Sequence, residues 1–243
     1  MKETTARSHA GLARQEKLDL ADWRRRVGEL YAEVRELSAT DPPAAWEHWC
    51  RIRELLFRGH PASPVPPEKR PGFVALHFDY DARLRFELPV IAEGATPTSE
   101  TARPGSTQPH ATAVGGYGGK AGAFALPISV GRPLSFERVC WIDVPFPSGL
   151  ARLALFWLPE YAGGLFLPFR DATNGIETYG GGRYLLDTSK GADLGGDADR
   201  GTVIVDLNFA YQPSCAFDQT WSCPLSPPEN RLDIRVEAGE RLV

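Results

Sequence analysis

LSFERVCWIDVPFPSGLARLALFWLPEYAGGLFLPF, residues 134–169, decides the fold class. It holds three runs rich in β-branched, aromatic and leucine side chains, cut by Pro145 to Gly149 and by Glu160 to Gly163. Such short apolar runs, bounded by proline and glycine and with no helical period between them, read as successive antiparallel strands. AFALPISV precedes them, across Gly131-Arg132-Pro133, and TVIVDLNFAY and RLDIRVEA follow. The expected fold is mainly β: an antiparallel β-barrel or sandwich with two N-terminal α-helices packed against it.

The helices come from the other end of the chain. From Leu18, apolar positions at Leu20, Trp23, Val27, Leu30, Tyr31, Val34 and Leu37 recur at intervals of three and four, which makes an amphipathic helix. Asp41-Pro42-Pro43 then restarts a helix, an N-cap followed by proline in the first turn, with Trp46, Trp49, Ile52 and Leu56 as its apolar stripe. Residues 1–15 are polar and read as a disordered N-terminus, 16–59 as a helical hairpin arm, and 60–243 as the β domain. The five prolines of residues 60–72 make an ordered connector, and FVALHFDYDARLRFELPV after it reads as a hairpin turning at Asp79 to Ala82. Residues 92–122 are rich in Thr, Ser, Pro and Gly with few apolar anchors, too few to offset the entropy of ordering them, and read as a mobile insertion.

A formal net charge of −4 supplies no positive field for nucleic acid or an anionic membrane, so neither is expected as a partner. No stretch has the apolar length of a signal peptide core or a membrane span, and a soluble, cytoplasmic protein is expected. Four cysteines without a CxxC pair, and five scattered histidines without HxH or HExxH spacing, indicate no zinc site and no other metal; no cofactor is indicated. Cys215 has Asp218 as its only charged neighbour in sequence, the wrong sign to activate a nucleophile. Cys215 and Cys223 could approach across their loop as a redox-sensitive pair, two packed thiols being the plainer reading in a reducing compartment.

The densest polar run is PFRDATNGIETYGGGRYL, residues 168–185. If residues 176–184 are extended, alternation sends Glu177, Tyr179 and Arg183 to one face. On 202–210 the same rule places Val203, Val205, Leu207 and Phe209 on a core face and Asp206 and Asn208 opposite, near Arg183 if the two strands are neighbours. Asp171 and Asn174-Gly175 read first as turn chemistry, with Arg183 in a buried ion pair to Asp206 or Glu177 as the structural alternative. Asp171 and Glu177 are the candidate catalytic acid and base.

HPASP at 60–64, the 168–185 run, VDLNFAYQPSCAF at 205–217, CPLSPPENRL at 223–232 and AGE at 238–240 together resemble domain-of-unknown-function family 1684 of bacteria and archaea, over Trp23 to Glu240. The chain departs from the family pattern in having Gln212-Pro213 for Asn-Pro and in the length of its 92–122 insertion. The resemblance brings no activity with it. It marks Arg170, Asp171, Thr173, Gly175, Thr178, Tyr179, Gly182, Arg183, Asp206, Asn208, Tyr211, Cys215, Cys223 and Asn230 as the positions that match the family's polar and glycine pattern. Three functions are open: a binding module in which Arg170, Tyr179, Arg183, Asp206, Asn208 and Tyr211 hold a small polar or anionic ligand; a hydrolase or isomerase using carboxylate acid–base catalysis; or a structural or protein-interaction module with a buried polar network.

Overall fold

A computed structural model of the chain describes residues 2–92, 123–126, 128–129, 134–159 and 163–242. The expected insertion lies outside the described residues from 93 onward.

Helix α1 runs Lys2–Ser38, starting well before the periodicity that begins at Leu18. Val27, Leu30, Tyr31 and Val34 are its buried stripe. Helix α2 is Pro42–Gly59, capped as expected: the Asp41 carboxylate accepts from the Ala44 N–H at 3.1 Å, with Pro42 in the first turn. It returns alongside α1, so that Trp23 stacks on Phe57 and His60 Nε2 comes within 3.1 Å of Asp22 Oδ2. The proline connector then folds back on itself: Ser63 Oγ donates to the Phe57 carbonyl at 2.6 Å and Arg70 Nε to the Val65 carbonyl at 2.8 Å.

The strands are β1 (Leu76–His77), β2 (Arg85–Pro89), β3 (Ile91–Ala92), β4 (Ala123–Leu126), β5 (Leu134–Phe146), β6 (Gly149–Trp157), β7 (Leu165–Phe169), β8 (Arg183–Asp187), β9 (Gly196–Asp197), β10 (Thr202–Asp206) and β11 (Glu240–Arg241). The largest sheet has the order β3-β5-β6-β7-β8, with β4 also on β5; a second is β2-β10-β9; a third is β1-β11. All these pairings are antiparallel, and no sheet closes on itself, so the architecture is sandwich-like and the barrel alternative is set aside.

Both faces of the large sheet are covered. Leu153 and Leu155 of β6 join Val203 and Val205 of β10, Leu30 and Val34 of α1 and Trp49 of α2 in the main core, whereas Ala154 and Phe156 point the other way, toward Phe136, Phe166 and Tyr184. That is the period-two pattern of the sequence with both of its faces buried. Where β7 carries Pro168, which has no N–H to give the ladder, the register with β8 shifts; on its other side, beyond the last β6–β7 pair Phe156–Phe166, the Asn230 side chain bridges β6 and β7. Asn230 Nδ2 donates to the Ala154 and Pro168 carbonyls at 2.9 and 2.7 Å, while its Oδ1 accepts the Ala154 N–H at 2.7 Å.

Three local expectations change. The run 73–90 is not a hairpin, because β1 pairs with β11 and β2 with β10. The strand expected over 231–238 forms no ladder; its backbone is drawn inward to serve buried side chains instead. Residues 176–182 are folded into turns, and only Arg183 onward is strand.

Candidate functional site

The polar run 168–185 turns on itself because one carbonyl gathers three donors: Thr173 O accepts the N–H groups of Ile176, Glu177 and Thr178. Asn174 locks the loop, its Nδ2 donating to Thr178 Oγ1 at 2.9 Å and the Tyr179 carbonyl at 2.7 Å. The chain then leaves the loop through Gly182, at φ +104°, where a Cβ would stand 2.6 Å from the Phe169 carbonyl oxygen. Glycine is required there on both counts.

This fold brings Arg183 to Asp171. Both side chains have no solvent exposure, and Arg183 Nη2 donates to Asp171 Oδ1 at 3.2 Å. Arg183 also donates to three carbonyls of the C-terminal segment, at Val236 (2.8 Å), Ala238 and Glu240 (3.3 Å). Burial alone weakens its hold on its proton, and the Asp171 carboxylate opposes that. Asp171 in turn accepts from the Thr173 N–H and hydroxyl and, at 2.8 Å, from the Val236 N–H. This carboxylate is fully engaged. Glu177 lies at the surface, 2.5 Å from Arg235. The candidate acid and base thus each have a cationic partner of their own. The ion pair expected of Arg183 is formed, with Asp171 in the place of Asp206 or Glu177.

Arg170 serves as backbone: its N–H donates to the Asn230 carbonyl at 2.9 Å and its carbonyl accepts from Leu232 N at 2.7 Å. Tyr179 is half-buried beside Cys215, and its N–H donates to Gln212 Oε1 at 3.1 Å. Tyr211 packs its ring 4.8 Å from the Arg53 guanidinium, edge-on to Tyr184. Arg53 is itself buried and paired with Glu240 through Nε and Nη2, clamping α2 onto β11. Tyr31, Arg53, Tyr184, Tyr211 and Cys223 share the wall of a cavity of ≈ 70 Å³.

Asp206 and Asn208 lie elsewhere, because β10 pairs with β2 and β9 and not with β8; their expected proximity to Arg183 does not arise. The alternation holds at Val203 and Val205; beyond Asp206 the chain turns, and Leu207 and Phe209 reach the core from a turn in which Asn208 is buried as well. Asp206, at the end of β10, caps a single turn over 207–209. Its Oδ1 takes the Asn208 N–H at 3.1 Å and Asn208 Nδ2 at 2.8 Å. Asn208 is held in turn by the Asp81 backbone, accepting its N–H and donating to its carbonyl, both at 2.9 Å. The other oxygen, Oδ2, is buried without a hydrogen bond, and Arg85 Nε is 3.9 Å away. Burial raises the Asp206 carboxyl to about 6, against the pull of Asn208 and Arg85. The same burial, with Asp206 nearby, moves the Tyr80 phenol up to about 12.

Asp206 borders a cleft of ≈ 260 Å³ between α1, β2, β10 and the turn before β9. Arg35, Ser38 and Arg85 line it with Asp206, and Gly195, at φ +90°, lets the Arg35 stem pass where a Cβ would stand 3.1 Å from it. Two arginines and one oriented carboxylate thus share the wall of this cleft, with Arg35 Nη1 also donating to the Asp193 carbonyl at 2.6 Å. Among the described residues no group of three His, Cys, Asp or Glu side chains comes together as metal ligands would. Among the described residues no helix is long and apolar enough to cross a membrane.

A family model described as protein of unknown function (DUF1684) matches residues 118–241, and the chain belongs to that family. The solution NMR structure of an uncharacterized protein from Haloarcula marismortui is similar: it is 31% identical, the match covers 79% of this chain and 90% of that one, and the TM-score is 0.50. No curated protein matches the chain.

Proposed function

We propose that this member of the DUF1684 family is a binding module for a small polar molecule carrying a negative group, held in the cleft walled by Asp206, Arg85 and Arg35. One observation carries the reading: a carboxylate 1% exposed has one oxygen fixed by two donors from Asn208 and the other oxygen with none, at the wall of a cleft. An unmet buried acceptor costs roughly 1–3 kcal/mol, and a ligand that donates to it recovers that cost. Arg85 and Arg35 line the same cleft, each with one Nη on a backbone carbonyl, of Ser38 and Asp193 respectively, and their other N–H groups would meet the ligand's acidic group. Arg183 and Asp171 belong to the scaffold in this reading.

A thermal-shift screen with amino acids, hydroxycarboxylic acids and sugar phosphates tests it. A ligand at a hundred times its dissociation constant stabilises the folded chain by about 2.7 kcal/mol, a rise on the order of 5 °C for a chain of this length. The rise is expected in the native protein and not in Arg85→Ala or Asp206→Asn. A panel without a single hit, or a rise that survives both substitutions, removes the reading.

The pKa of Asp206, raised by burial to about 6, supports a second reading in which the same carboxylate moves a proton on the bound molecule as a general acid or base. Turnover of a hit that disappears in Asp206→Asn while binding persists would select it.

A further inference from the structure

Away from the Asp206 cleft, two thiols meet. Cys215 and Cys223 are both buried and not bonded to each other. The Cys215 N–H donates to Cys223 Sγ at 3.3 Å, so the sulfur of one residue rests on the backbone of the other. An amide nitrogen lies about 1.5 Å from its own Cα, which puts the Cys215 Cα within about 5 Å of the Cys223 sulfur. The sulfur lies about 2.8 Å from its own Cα, so the two Cα atoms are at most about 7.6 Å apart, a range that overlaps the roughly 4.4–6.8 Å a disulfide bridges.

The surroundings favour a thiolate. Ser129 holds Cys223 from both sides, accepting its N–H at Oγ (3.0 Å) and donating its own N–H to the Cys223 carbonyl (2.9 Å). The Cys223 thiol, the Tyr179 phenol and the Ser129 hydroxyl all act on Cys215 to make it more acidic than an ordinary cysteine, against the effect of burial, while the Cys223 thiol is made less acidic by the same contact. Cys223 and Ser214, the residue before Cys215, border the ≈ 70 Å³ cavity, which the exposed Lys190 also lines; Cys215 itself is not part of its wall. That volume admits a molecule the size of hydrogen peroxide and excludes a peptide disulfide.

We propose that Cys215 and Cys223 are a dithiol site that small hydroperoxides oxidise reversibly to a disulfide. The Cys215 thiolate attacks one oxygen of the peroxide, the O–O bond breaks, and the departing oxygen takes the thiol's proton and leaves as water or an alcohol. Cys223 then attacks the sulfur of the sulfenic acid, the S–S bond forms, and hydroxide leaves with the Cys223 proton as water. Two thiols are oxidised and one peroxide is reduced. A dithiol reductant reverses the step.

The full chain, reduced and then exposed to hydrogen peroxide, tests this by intact mass and by alkylation after denaturation. The expected result is a loss of about 2 Da, a cross-linked pair of peptides joining Cys215 to Cys223, and recovery of all four alkylated cysteines after dithiothreitol. Cys223→Ser, shown to be folded by circular dichroism, should leave a sulfenic acid on Cys215 that dimedone traps. Four alkylated cysteines after peroxide, a cross-link through Cys50 or Cys140, or irreversible oxidation of Cys215 without a bridge would each overturn the proposal. The native chain decides the matter alone if the variant does not fold.

Discussion

Asn208 gives its backbone N–H and its side-chain amide to the same oxygen of Asp206, at 3.1 and 2.8 Å, and leaves the other oxygen unmatched in the interior. The carboxyl, raised to about 6 with Arg85 and Tyr80 as its ionisable neighbours, starts from about 3.9 in the unfolded chain. Between those two values the folded state binds more protons than the unfolded one, so this group's contribution to stability grows as pH falls through about 6 and is complete below about 4. The size is on the order of 2–3 kcal/mol. Urea midpoints from pH 4 to 7 should therefore fall more steeply with rising pH in the native chain than in Asp206→Asn, and parallel curves would show that Asp206 does not titrate in this window.

Arg183→Ala leaves Asp171 as a buried charge and takes the Arg183 donor from the Val236 and Ala238 carbonyls, while Glu240 keeps Gln212. Breaking a buried pair on one side costs about 3–5 kcal/mol, a drop in melting temperature on the order of 10 °C. Arg183→Lys should recover little of it, since one ammonium cannot match a planar fork aimed at acceptors on two segments. A loss of only one or two degrees would mean that the loop relaxes around the gap.

Asp171→Asn and Glu177→Gln remove the same charge six positions apart and should differ widely. Glu177 shares a partly exposed contact with Arg235, worth less than about 1 kcal/mol. Asp171 receives donors from Arg183, Thr173 and Val236, so several kcal/mol are at stake. Equal melting temperatures for the two variants would contradict the burial assigned to Asp171.

Gly182→Ala and Gly175→Ala form a second matched pair. Both residues have positive φ, yet a Cβ at Gly175 meets open space and one at Gly182 meets the Phe169 carbonyl at 2.6 Å. Gly175→Ala should cost about 1–2 kcal/mol for the backbone alone, and Gly182→Ala clearly more. Chemical denaturation of both variants measures the difference.

Much of the architecture was readable from period and punctuation. The cap at Asp41, the stripe of α1 and the inward pair Val203 and Val205 all follow from local rules that packing here reinforces. The 168–185 run was harder, because three glycines hide whether a polar segment is extended or turning, and the decisive contact, three donors on one carbonyl, leaves no periodic trace. The cleft was harder still. Arg35, Arg85 and Asp206 come from a helix and two strands whose adjacency depends on which strands pair, and residue order does not state that. One part was available: Asp206 and Asn208 have the i, i+2 spacing of a side chain that caps its own turn.

Residues 236–240 offer carbonyls to Arg183 and a carboxylate to Arg53, and they are made long after both. Arg53 precedes its partner by 187 residues, roughly 10–40 s of synthesis at the usual ribosomal pace. Arg53 spends that interval without its carboxylate, and Arg183 joins it only for the stretch that begins 53 residues before Val236. The late segment is the latch of the fold: neither arginine has its full set of acceptors until residues 236–240 are in place.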